Sequence, residues 1–443
     1  MDDGTQLQFD ADEQLERART DRLNSYIALA PEAGTPAGSP SGALYGVGFA
    51  CKDNIDTEQL PTSGGTSALA ASVPLRDHPA VARLREAGAV LIGKTNLHEL
   101  ALGATSDNAT FGPVRNPLDR ERLAGGSSGG SASAVRAGSV PFALATDTGG
   151  SARVPAAWCA VAGFRPTVGR WGTGHTVPLS WSRDSVGVIA ADVDWVIAVD
   201  GVVTGENPLP GLPGPIRLGV PAEYTANLDE SVDTAWAAAV SALEQAGVEL
   251  YPVELGRLLG ANEYGLDLVL YEVRRALPRY LAGLREPVSV ETLIEGVQSP
   301  DVEGLLRRAF EDPVSDERYG ECAAARDTAR AAHSTLLREH GLLGFTYPTT
   351  PLEPLPVGSD SAAFFAEITR NTEFSGFCGL PAVSVALPQP RHGFAGGLSI
   401  EGTRGDDRLL LAVAKEIEHT LTRPGRRVFG RIPDQPGHPR DAA

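Results

Sequence analysis

Between Gly125 and Ser151 the chain carries two glycine–serine clusters, Gly-Gly-Ser-Ser-Gly-Gly-Ser at one end and Thr-Asp-Thr-Gly-Gly-Ser at the other. Glycine lets a backbone take positive φ and bring its amides close to a ligand, so the clusters read as two walls of one anion-stabilising site. Their link is regular. Ser131 to Gly138 predicts a small-residue helix closed by a glycine, and Val140 to Ala145 predicts an apolar strand delivering Asp147 and Ser151 to its end. Serines so placed are candidate nucleophiles that still need a base.

Lysine scarcity suggests where the base lies. Only Lys52, Lys94 and Lys415 occur, and arginine supplies all other side-chain positive charge. Arginine does not release its proton, whereas a desolvated lysine can be driven neutral and act as a general base. Lys52 ends the apolar run Gly-Val-Gly-Phe-Ala-Cys, at the strand end where α/β proteins place working side chains. Scarcity alone does not separate a working lysine from an accident of composition.

Of 443 residues, 42% are hydrophobic and 21% charged, which describes a globular chain with ample core. No linker is evident, so 1–443 reads as one domain, with 424–443 as a loosely attached tail. A net charge of −18 argues against nucleic acid, which needs a basic face. Cys51, Cys159, Cys322 and Cys378 lack pair spacing, so reduced thiols are expected rather than disulfides or a Cys-x-x-Cys metal site. There is no basic, apolar leader and no apolar run of the ~20 residues a membrane span requires, so a cytoplasmic protein is expected.

Ala11 to Ala30 predicts an amphipathic helix, Pro79 to Ala87 another, Ala89 to Ile92 a short buried strand and Asn96 to Leu102 a further helix. After Ile216, helices over Glu230–Ala246, Glu272–Ala282, Glu321–His340 and Asp406–Thr422 alternate with strands over Glu249–Val253, Leu343–Thr346, Ala382–Ala386 and Gly396–Ile400. That alternation predicts an α/β fold with a mixed, mostly parallel central sheet flanked by helices.

Three simpler readings of the motifs fail on local context. Gly88 to Thr95 fits the P-loop expression, but its interior Ala-Val-Leu-Ile is strand where a phosphate cradle needs a loop, so Lys94 reads as the anchor of a strand-to-helix turn. Gly125-Gly-Ser-Ser-Gly fits a nucleophile elbow, but a polar turn precedes it where a strand is required. His175 and His392 are the histidines best placed on loops for a Ser-His-Asp arrangement, though solvated or structural roles are commoner. Asp53, Asp56, Asp301, Glu303 and Glu311 have no metal-ligand spacing.

Joined to Lys52, the clusters become recognisable. Lys52-Asp-Asn-Ile-Asp, the Gly125 to Ser131 run, and Thr146-Asp-Thr-Gly-Gly-Ser-Ala-Arg-Val-Pro-Ala-Ala with Gly163-Phe-Arg-Pro-Thr behind it resemble the amidase signature family, in the family's order. Gly93-Lys-Thr-Asn, Phe111-Gly-Pro-Val-Arg-Asn-Pro, Arg183-Asp-Ser-Val-Gly, Tyr347-Pro-Thr-Thr-Pro and Gly379-Leu-Pro-Ala-Val-Ser-Val extend the likeness from about Tyr45 to Glu418. The resemblance implies a cofactor-free amide hydrolase in which Ser151 attacks, Ser127 bridges after a cis peptide bond, and Lys52 is the base. It also implies an oxyanion hole from the amides of Thr148, Gly149, Gly150 and Ser151, with Ser128, Asp147 and Arg153 in support. A purely structural Asp147–Arg153 pair is an equal alternative.

Ile368-Thr-Arg-Asn-Thr-Glu-Phe and Val177-Pro-Leu-Ser-Trp-Ser-Arg-Asp resemble the branch of that family acting on arylacetamides such as indoleacetamide and mandelamide, with Arg370, Asn371 and Thr372 carrying the likeness. An aromatic pocket drawing on Trp181, Phe374 and Phe377 is implied, with Trp158, Phe364 and Phe365 further candidates and ordinary core the competing role. Arg165, and Trp171-Gly-Thr-Gly-His175, depart from common family wording. The expected partner is a small amide, with no nucleic acid or membrane, and a homodimer is left open. The alternatives are a glutaminase subunit of a tRNA amidotransferase, which shares the motifs, and a non-catalytic binding protein, which the presence of Lys52, Ser127 and Ser151 disfavours.

Overall fold

The computed structural model describes residues 10–40, 42–256, 263–388, 394 and 396–422. His392 and the 424–443 tail lie outside the described residues. The strands are β1 (Tyr26–Leu29), β2 (Gly48–Lys52), β3 (Val90–Thr95), β4 (Arg115–Asn116), β5 (Asp119–Leu123), β6 (Phe142–Asp147), β7 (Ala162–Arg165), β8 (Ser185–Ala190), β9 (Arg217–Pro221), β10 (Glu249–Val253), β11 (Gly344–Pro348), β12 (Ala382–Ala386) and β13 (Gly397–Glu401). All but β4 and β5 form one sheet in the order β1-β3-β2-β6-β8-β7-β12-β13-β11-β9-β10.

The α/β class and mixed sheet are as expected, but the parallel majority is not. Parallel pairing is confined to β3–β2–β6 and β11–β9–β10, and the intervening neighbours and the β1 edge are antiparallel. Parallel neighbours need a crossover element, and the chain from Arg165 to Ser185 contains no helix to provide one between β7 and β8.

Helices cover both faces. On one, Phe49 of β2 stacks on Phe142 of β6 at 5.7 Å, and Trp195 adds its ring at 6.0 Å. On the other, helices Gly129–Arg136 and Arg153–Cys159, with Ala152 just before the second, bury Ala132, Ala134, Val135, Ala152 and Ala156 against Ala143 and Ala145 of β6. Small side chains let these helices sit close under the strand that carries the second glycine cluster. All four cysteines are buried and unpaired. Among the described residues no helix is long and apolar enough to cross a membrane.

Two expected helices are corrected. The first covers only Ala11–Arg19, because Asp21 accepts the Ser25 amide at 2.8 Å, Asn24 takes φ +60°, and the chain then joins β3 as β1. Asn96 to Leu102 holds only one 3-10 turn. There the Asn96 side chain caps the Leu97 amide, Leu100 takes φ +52°, and the His98 amide turns to the Ser127 carbonyl at 3.1 Å.

Candidate active site

β2 and β6 lie side by side, and their ends present Lys52 and Thr146 to each other. The Lys52 Nζ donates to Ser127 Oγ at 2.8 Å and to Thr146 Oγ1 at 2.7 Å. Asn54 Nδ2 donates to the same threonine oxygen at 3.1 Å. Lys52 is fully buried and, among the described residues, has no carboxylate within ion-pair distance. Hydroxyls satisfy its hydrogens without supplying a counter-charge. Burial therefore pushes its pKa from an ordinary 10.5 down to about 7, against the opposing pull of Asp147 and Asp184.

The Gly126–Ser127 peptide bond is cis. The Ser127 carbonyl is held by the His98 amide and the Ser106 hydroxyl, each at 3.1 Å. Gly126 is required by close approach, since a Cβ there would lie 2.6 Å from the Thr105 nitrogen. Ser128 joins the two clusters: its amide donates to the Ser151 carbonyl at 3.1 Å and its hydroxyl to the Thr146 carbonyl at 3.2 Å. Ser151 is half-buried, and its hydroxyl has no hydrogen-bond partner among the described residues.

Asp147 organises the second cluster from within. Its buried carboxylate accepts from Gly150 N at 2.8 Å, Ala152 N at 3.2 Å, Arg153 Nε at 2.9 Å and an Arg165 terminal nitrogen at 3.0 Å. Burial would raise the Asp147 carboxyl, but the charges of Arg153 and Arg165 hold it well below the usual range. Arg165 thus completes the Asp147–Arg153 pair, which shapes the turn and does not face the cavity.

The same geometry corrects the oxyanion-hole expectation. Of the four amides expected there, that of Gly150 is already taken by Asp147, while those of Thr148, Gly149 and Ser151 have no hydrogen-bond partner among the described residues. The carbonyls are held from behind: Thr148 O accepts from Arg183 Nε at 3.3 Å, and Gly149 O from Thr372 Oγ1 at 2.7 Å. In a planar trans peptide the N–H opposes the carbonyl, so holding Thr148 O aims the Gly149 amide the other way. Gly150, at φ +135°, has no room for a side chain, because a Cβ would lie 2.2 Å from Thr372 Oγ1.

A cavity of about 570 Å³ opens beside this cluster, bordered by Thr146 and Thr148 at the lysine end and by Val177, Leu179 and Trp181 along its wall. That size suits a small molecule. Trp181 lines it, 46% exposed. Phe374 and Phe377 do not: both are fully buried with Tyr224, Phe345 and Tyr347, because helix Glu373–Cys378 turns its aromatic side onto β11. Trp158 is also core, its indole N–H donating to the Leu352 carbonyl, while Phe364 and Phe365 are exposed on helix Ser361–Thr369. The anchor expected at Lys94 is differently placed. From within β3 it pairs with Asp53 at 3.4 Å and binds Ile55 O, Pro61 O and Thr62 Oγ1, holding the loop that follows Lys52. No three His, Cys, Asp or Glu side chains among the described residues are grouped to hold a metal ion.

Sequence reasoning missed two site residues. Thr146 stood inside a recognised motif without a role, and its place beside Lys52 emerges only from the pairing of β2 with β6. Asp184 accepts from Thr148 Oγ1 at 2.7 Å and from the amides of Leu179 and Ser180, tying the Trp181 loop to the Thr148–Ser151 turn.

The amidase family model matches residues 10–411. The chain is 36% identical over 415 residues to the mandelamide hydrolase of Pseudomonas putida, covering 87% of this chain and 80% of that one. It is 33% identical over 414 residues to the indoleacetamide hydrolase of Pseudomonas savastanoi, covering 91% and 90%. A crystal structure of an amidase aligns with a TM-score of 0.79 at 32% identity, over 93% of this chain and 95% of that one. With the match running from the first described residue almost to the last, and a buried lysine bonded to a glycine-loop serine at its centre, this chain belongs to the amidase family.

Proposed function

We propose that the protein hydrolyses small aryl-bearing carboxamides to a carboxylate and ammonia or an amine, with Lys52, Ser127 and Ser151 as its catalytic triad. Neutral Lys52 Nζ takes the Ser127 proton as Ser127 takes that of Ser151, and Ser151 Oγ bonds to the amide carbon. The tetrahedral oxygen collects negative charge beside the free amides of the Thr148 to Ser151 turn, where one donor is typically worth ~3 kcal/mol of barrier. Collapse breaks the C–N bond, and the leaving nitrogen carries the proton away through the same relay. Water, deprotonated along that path, then attacks the acyl-serine and releases the acid.

The observation that carries this reading is the 2.8 Å contact between Lys52 Nζ and Ser127 Oγ, in a burial that lowers the lysine pKa to about 7. Such a value lets a lysine be both neutral and basic at working pH. The aryl preference is supported by Trp181 in the cavity wall and by relatives named for mandelamide and indoleacetamide. Neither name points to glutamine, so the amidotransferase-subunit alternative has less support. A cytoplasmic setting belongs to the same reading, supported by four unpaired thiols.

The test is ammonia release from mandelamide, indoleacetamide, phenylacetamide and glutamine, beside Ser151→Ala as background. Turnover of the aryl amides well above that background is expected. Turnover of glutamine alone, or of no aryl amide, would overturn the proposal.

A further inference from the structure

The cavity has a second polar region that the triad does not use. His78 precedes helix Pro79–Glu86 and lines the cavity with Gly172, Thr173 and His175, a turn the sequence had marked as unusual. Its backbone amide donates to the Asp56 carbonyl at 3.0 Å. Its ring caps the helix, with Nδ1 accepting the Ala80 amide at 3.1 Å. An Nδ1 that accepts leaves the ring proton on Nε2. That Nε2–H is fully buried and has no hydrogen-bond partner among the described residues. Burial, with the nearby His175, holds the ring pKa down at about 3, so His78 is a neutral donor throughout the working range.

Buried polar groups are almost always paired, and an unpaired donor beside a ligand cavity is the exception that needs a partner. We propose that this end of the cavity is a subsite for a neutral oxygen substituent on the substrate's acyl group, which accepts a hydrogen bond from His78 Nε2. The inference rests on the aryl-amidase reading and narrows its substrate class to arylacetamides bearing a hydroxyl or ether oxygen. Two observations favour a neutral acceptor over an anionic one: the donor is uncharged, and the Asp56 carboxyl lies beside the subsite, accepting from Tyr280 at 2.8 Å with His175 at 3.9 Å. The same cavity is lined by the apolar Val177 and Leu179 and the Trp181 ring, surfaces suited to an aromatic group.

The experiment compares kcat/KM for 3- and 4-hydroxyphenylacetamide with the equally sized 3- and 4-methyl analogues. In the wild-type enzyme one hydroxyl isomer should exceed its methyl partner by about 3- to 10-fold, the worth of one neutral hydrogen bond. His78→Ser retains a side-chain acceptor for the Ala80 amide but places no donor at the Nε2 position, and should bring that ratio to about one. Hydroxyl-to-methyl ratios of about one for both isomers in the wild type, or a preference that survives in His78→Ser, would overturn the subsite. A second arm needs neither folding of the variant nor turnover. In the wild-type protein with 15N-labelled histidine, 3- or 4-hydroxyphenylacetate should shift the His78 Nε2 signal, and the corresponding methyl analogue should not. Shifts with both acids or with neither contradict the subsite, whereas failure of every amide to be hydrolysed contradicts the aryl-amidase reading instead.

Discussion

Lys52 and Lys94 sit on adjacent strands, both fully buried and offset by one register step, with Cys51 opposite Lys94. Their surroundings differ in one respect. Lys94 has the Asp53 carboxylate at 3.4 Å together with two carbonyls and a hydroxyl, so its charge is compensated. Lys52 has two hydroxyls and, among the described residues, no carboxylate in contact. A buried ammonium without a counter-charge is driven toward its neutral form, and that turns a lysine into a base. Scarcity singles out both residues; only the partners tell them apart.

The sharpest break between them is functional. Lys52→Met should remove about 10³-fold or more of amide turnover, in the range for loss of a general base that also serves a relay. It should melt no lower than wild type at pH 7. The sign follows from linkage: with a folded pKa of about 7 against 10.5 unfolded, the unfolded chain binds more protons between those values, so Lys52 lowers stability as pH falls through that window. Chemical denaturation at pH 7 and pH 9.5 should show wild type gaining stability with pH relative to Lys52→Met.

Lys94→Met should behave in the opposite manner. It leaves Asp53 buried without its cation, and denaturation should show a loss of about 3–5 kcal/mol, while the residual folded enzyme keeps the wild-type dependence of kcat on pH. A smaller effect belongs to Thr146→Val, which removes one of the two oxygens around Lys52 Nζ. With less to hold the ammonium, the midpoint of the pH–kcat/KM profile should move downward from about 7. The smallest is Thr372→Val: freeing Gly149 O should reduce kcat by about tenfold or less and leave KM near wild type, since the change acts on transition-state alignment.

The sequence disclosed much of this contrast, and its limits have physical causes. Lys52, Ser127, Ser128 and Ser151 lie in short motifs whose chemistry depends on residue type, so they were readable, as was the α/β class from alternating periodicities. Partners supplied across the sheet were not. Thr146 reaches Lys52 because β2 and β6 pair, and Asp184 and Thr372 grip the Thr148–Ser151 turn from segments further along the chain. Phe374 and Phe377 misled because an aromatic next to a functional stretch has the same composition whether it faces a ligand or the core. The Asn96 helix failed for a related reason: its apolar spacing was helical, but the His98 amide is required at Ser127.

With only three lysines in the chain, direct titration is feasible. Protein carrying 15N-labelled lysine should give one side-chain resonance that titrates near pH 7 and disappears in Lys52→Met, with a midpoint matching the acidic limb of the kcat/KM profile. If no lysine titrates below about pH 9 while hydrolysis proceeds at neutral pH, Lys52 is not the neutral base described above.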